Sequence, residues 1–142
     1  MTFDIPRRNR NNIVQELHHM KLQILENQFS VSKLDGKSII PEWALQGNFF
    51  SVSRTQGELS IVCEAGLVPT GVKSEKGWRI LKVDGTLDFN LTGILASIAN
   101  PLAEAKISIF AISTFDTDYV LVKESDLELA CKVLRSSGIE IF

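Results

Sequence analysis

The stretch FAISTFDTDYVLVK, residues 110–123, gathers two carboxylates, Asp116 and Asp118, beside Phe115 where two apolar strand-like runs meet. Two-residue hairpin turns usually carry Gly or Asn, which tolerate positive φ, yet this one reads Phe-Asp-Thr-Asp. Aspartates in such a place either cap their own backbone or meet a cation. Both readings stand at this point. The other residues able to do chemistry are few. His18 and His19 are neighbours, so on a helix they point about 100° apart and cannot hold one ion together. No CxxC or further histidine accompanies them, and no metal is expected. Cys63 and Cys131 lie in apolar stretches and are expected as two reduced, buried thiols of a cytoplasmic protein. A Ser-His-Asp or Cys-His constellation cannot be composed, because both histidines sit together near the N-terminus. The expectation is a protein that is not an enzyme.

The elements that position these residues come from a chain of 142 residues, 44% hydrophobic and 23% charged. That fits one ordinary soluble domain, or two very small units sharing a core. A net charge of −2 gives no electrostatic reason to expect nucleic acid. No apolar run approaches the roughly 18 residues of a membrane span, and MTFDIPRRNRNN lacks the apolar core of a secretory signal. Arg7, Arg8 and Arg10 read as a solvated terminus.

An internal repeat organises the rest. FFSVSRTQGELSIVCE, residues 49–64, aligns without a gap on IFAISTFDTDYVLVKE, residues 109–124, at an offset of 60. Phe50 then meets Phe110, Ser53 meets Ser113, and Val62 meets Val122. Upstream, FSVSKLDG (29–36) resembles WRILKVDG (78–85) at an offset of 49. The second copy has room for a helix over residues 90–105, with Ile94, Leu95, Ile98, Leu102 and Ala105 as its apolar stripe. Pro101 would disturb it locally. In the first copy KSIIPEWALQGN allows one turn at most, and AGLVPTGVKSEK replaces a second helix. Ser125 and Glu128 have capping-box spacing ahead of a helix buried through Leu127, Ala130, Val133 and Leu134; Gly138 ends it and IEIF follows as a strand. The second copy reads β-α-β-β-α-β. Residues 13–26 read as helix. Trp43 and Trp78 are expected as core or interface anchors.

The loop Leu91-Thr92-Gly93-Ile94, the step Pro101-Leu102-Ala103 and the run ISTFDTDYVLV together resemble the ACT domain, the small ligand-binding module of amino-acid metabolism. The type is that of short bacterial tandem-ACT proteins and of the eukaryotic cytosolic arginine sensor. The resemblance is strong over residues 77–137, weaker over 28–66, and does not reach residues 1–27. It implies an α+β fold of tandem ferredoxin-like (βαββαβ) units, with antiparallel sheets and helices on one face. The division would be an N-terminal extension, partly helical (1–27), an abbreviated ACT-like unit (28–76) and a complete ACT domain (77–142).

The resemblance further implies a free amino acid held where ACT units meet, and no cofactor. By position, Asn90, Leu91, Thr92, Gly93 and Ile94 would supply backbone groups. Ser113, Thr114, Phe115 and Asp118 would supply side chains. Leu91 departs from the pattern, standing where an acidic residue can occur. A helix N-terminus suits a carboxylate, Gly93 permits close approach, and Asp118 could meet an ammonium or cationic side chain. The expected protein is a non-enzymatic amino-acid-binding regulator or sensor, a cytoplasmic homodimer without nucleic-acid or membrane partners, open to an unidentified protein partner. The alternative is a structural oligomerisation module with a vestigial site. The acylphosphatase reading lacks an Arg in a phosphate-cradling loop, and the RRM reading lacks basic and aromatic residues on its central strands.

Overall fold

The computed structural model describes residues 20–84 and 92–142. In chain order its elements are strands β1 (Lys21–Ile24), β2 (Phe29–Leu34), β3 (Ser51–Arg54), β4 (Leu59–Glu64) and β5 (Lys73–Val83), helix α1 (Ile94–Glu104), strands β6 (Ile109–Ser113) and β7 (Asp118–Lys123), helix α2 (Leu127–Ser136) and strand β8 (Glu140–Ile141). Single 3-10 turns at Glu42–Leu45 and Ala65–Leu67 stand in the first repeat where the second has helices. The fold is mixed α+β, as expected.

β5 belongs to both repeats. Its first half lies antiparallel to β2, completing the order β3-β4-β2-β5. Its second half takes β7 on one edge, with β6 beyond, and β1 on the other, with β8 beyond. The equivalent residues Phe29 and Trp78 face each other where β2 meets β5. Each repeat therefore lends a strand to the other: β1 precedes the first repeat and pairs with the second. The expected division between residues 76 and 77 falls inside β5.

Three sequence expectations are corrected. Helix does not continue to residue 26, because Lys21–Ile24 is a strand. Leu22 is buried between exposed Lys21 and half-buried Gln23, and backbone pairing with β5 decides the segment. Ser125 forms no capping box: the residue before α2 is Asp126, without a side-chain cap, and Glu124–Asp126 is a 3-10 turn. The hairpins superpose at an offset of 59, not 60. Phe29 faces Glu64 as Trp78 faces Lys123, so Glu64 matches Lys123. A slip of one residue would turn every side chain to the other face. At the corrected offset, buried Ile61, Val62 and Cys63 fall on buried Val120, Leu121 and Val122.

The two faces of the sheet bury different clusters. On one, Leu22, Leu81, Val83, Val120 and Val122 pack under α1 and α2 through Ile98, Leu102, Ala130 and Leu134. α1 keeps its expected apolar stripe with Pro101 inside it. On the other, Phe29, Val62, Trp78, Ile80 and Leu121 fill the seam between repeats. A third cluster, Ala44, Leu59, Ile61 and Cys63, lies under the 3-10 turns of the first repeat, with Trp43 packed against it. Trp78 is thus a core residue, and Trp43 packs partly buried against the core.

Candidate functional site

α1 begins without a side-chain cap, and Gly93 precedes it in the left-handed conformation at φ 84°. A side chain there is strained, though a Cβ at Gly93 would meet no atom within 4 Å. Gly93 O accepts the Ser97 amide, while the first amides of the helix are left for other partners. Thr92 and Gly93 are exposed and Ile94 is buried. Asn90 and Leu91 lie outside the described residues.

The hairpin β6–β7 closes through a two-residue loop, Phe115-Asp116, with the Thr114 amide donating to Thr117 O at 2.9 Å. Neither loop residue has positive φ, which removes the need for glycine. A threonine does the tying instead. Thr114 Oγ1 donates to Thr117 O at 3.2 Å and lies 3.4 Å from the Thr117 amide. Thr55 holds the first hairpin in the same way, accepting from the amides of Gly57 and Glu58 at 3.2 and 3.1 Å. Here too the match is at offset 59.

Asp118 opens β7 opposite Ser113, and the Ser113 hydroxyl donates to its Oδ1. Phe115 is 79% exposed at the hairpin tip, so it is not a core residue. Sequence reasoning missed Thr117. It is buried, and its Oγ1 donates to Val83 O at 2.9 Å. That bond fastens the hairpin to the end of β5, from which the chain leads to α1. Ser113, Thr114 and Asp118 are thereby set beside one another on a hairpin anchored to the strand before the loop.

The first repeat is built differently at the matching place. Arg54, equivalent to Ser113, donates from its guanidinium to Gly36 O and, at 2.7 Å, to Ser38 O. The thiols sit away from both hairpin tips. Cys63 and Cys131 are free and buried. Burial raises both thiols above the ordinary range; the Glu64 carboxylate adds to this for Cys63, while Arg135 and Arg79 partly offset it for Cys131.

A family model for the ACT domain matches residues 73–136, and a second model, for an N-terminal domain, matches residues 27–71. Residues 73–136 belong to the ACT-domain family. Human cytosolic arginine sensor for mTORC1 subunit 1 is 38% identical to this ACT protein over 96 residues, covering 61% of the chain but only 29% of the sensor. A crystallised protein of Agobacterium tumefaciens is 39% identical and superposes with a TM-score of 0.83, covering 87% of this chain and 92% of that one. Aspartate kinase of Clostridium acetobutylicum shares the fold at a TM-score of 0.60 and 15% identity, over 84% of this chain and 34% of the kinase. No helix among the described residues is long and apolar enough to cross a membrane.

Proposed function

We propose that this chain is a non-enzymatic regulatory protein that binds a free amino acid between the start of α1 and the β6–β7 hairpin. The observation that carries the reading is the uncapped helix start at left-handed Gly93, in a chain whose second repeat matches the ACT model. Unpaired amides and the positive end of the helix dipole suit the ligand carboxylate. Asp118 would take the ammonium or a cationic side chain. The similarity to a protein named as an arginine sensor makes arginine the first ligand to try. The proposed site comprises Asn90, Leu91, Thr92, Gly93, Ile94, Ser113, Thr114, Phe115 and Asp118.

The protein would act in the cytoplasm as a homodimer, since β3 and β6 each have one strand partner among the described residues and open edges invite pairing. Light scattering at micromolar concentration would then return twice the mass of 15.8 kDa; a stable monomer would refute the dimer.

Calorimetry with the twenty common amino acids tests the site. Losing a hydrogen bond to a charged group costs about 1.5–3 kcal/mol, roughly ten- to a hundredfold in affinity. Asp118→Ala should weaken binding by that much and barely move the melting temperature. Binding unchanged in Asp118→Ala would place the ligand elsewhere. One observation favours the structural-module reading: Ser113 already satisfies Asp118. That reading gains if no amino acid binds below millimolar concentration.

A further inference from the structure

We propose a second small-molecule site, at the seam between the repeats, for a zwitterionic amino acid with an apolar side chain. A cleft of about 380 Å³ opens there between the β1–β2 turn, the segment before β3, the end of β4 and the Lys82–Tyr119 end of the β5–β7 pair. Its size falls within the roughly 300–1,000 Å³ of small-molecule pockets. The walls are aromatic. Phe49 lies 4.5 Å from Tyr119, ring centre to ring centre, and meets the buried ring of Phe29 edge-on at 6.0 Å.

Charges of both signs line this one cleft without neutralising each other. Glu26, Glu64 and Lys82 all belong to its lining, yet none forms an ion pair among the described residues. Glu64 and Lys82 are half-buried, which makes unpaired charge there costlier than on the open surface. The Glu64 carboxylate packs close over Gly47: a Cβ there, at φ +87°, would stand 2.9 Å from Glu64 Cδ. Lys82 Nζ lies 6.0 Å from the centre of the Tyr119 ring. A zwitterion answers this pattern. Its carboxylate would go to Lys82, its ammonium to Glu64 and Glu26, and its apolar side chain to Phe49 and Tyr119.

This site is independent of the one at α1. Tyr119 and Asp118 are successive on β7, so their side chains leave opposite faces of the strand. Tyr119 is also the single tyrosine of the chain. Labelling with 3-fluorotyrosine therefore gives one fluorine resonance, located in the cleft. Titration with L-phenylalanine or L-leucine should shift it saturably. The shift should survive Asp118→Ala and weaken about tenfold or more in Glu64→Gln and in Lys82→Met. Two arms dissect the charge requirement: 2-phenylethylamine lacks the carboxylate and 3-phenylpropionate lacks the ammonium, and both should bind at least about tenfold more weakly.

The absence of a saturable shift up to roughly 10 mM, equivalent to under about 3 kcal/mol, would overturn the proposal. Equal binding of either analogue would overturn it too. Saturable binding that is lost in Asp118→Ala but kept in Glu64→Gln and Lys82→Met would reject the seam and uphold the hairpin site instead.

Discussion

Thr117 shows how much one hydroxyl can position. Its Oγ1 reaches Val83 O across 34 residues of sequence, inside the protein. Thr117→Val keeps the shape and removes the donor, leaving a buried carbonyl short of a partner. The expected cost is about 1–3 kcal/mol, read as a lower denaturation midpoint with an unchanged slope. A midpoint matching wild type would mean that the bond does not hold the hairpin. The two thiols behave as a pair of buried acids. Their raised pKa values mean that the folded protein keeps protons that the unfolded chain releases. Stability is therefore fully present below the unfolded thiol value, roughly pH 8.5, and is lost as pH rises beyond it. Cys63→Ala with Cys131→Ala should flatten that alkaline decline. In native wild type both thiols should react slowly with a thiol reagent at neutral pH, and fast once denatured; prompt native reaction would contradict their burial.

At the scale of elements, the turn after β2 depends on a close approach rather than on unusual dihedrals. Gly36 is buried, and a Cβ there would stand 2.5 Å from Gln56 O and 2.9 Å from Thr55 O in the first hairpin loop. Both contacts are backbone, so neither can rotate away. Gly36→Ala should cost about 1–3 kcal/mol through overpacking, seen as a drop in melting temperature. Gly71, by contrast, has open space around its Cβ position and serves as the control, with only its left-handed φ to strain it. A loss in Gly36→Ala no larger than that in Gly71→Ala would show that the close approach does not constrain the turn. The ties across β5 follow a similar logic: Arg79 bonds Glu124 at 3.1 Å and Leu25 O at 3.4 Å, joining β5 to the turn before α2 and to the end of β1.

At the scale of the whole molecule, the two repeats share a strand and exchange strands. β1 covers an edge of the second repeat, and the first half of β5 covers an edge of the first. The fragment 77–142 lacks β1 and part of β5. It should show no cooperative thermal transition, whereas residues 20–142 should melt in one step. Circular dichroism on the two fragments decides the matter. Independent folding of 77–142 would show that the strand exchange is dispensable.

The sequence by itself determined most of the element order. Short apolar runs marked β2, β4 and β7, a helical stripe marked α1, and turn residues separated them; these are local signals. It also supplied the residues behind the ACT resemblance, including Gly93 and Ser113 to Asp118. Only the tertiary structure decided the register. Phe50 looks like Phe110, so similarity favoured an offset of 60, but paired backbones count residues and set 59. It likewise turned Lys21–Ile24 into strand, because the partner that claims those residues is β5, some 60 positions away. The seam cleft was illegible for the same reason. Glu64, Lys82 and Tyr119 come from three different strands, and no local pattern links residues that meet only when the sheet folds over itself.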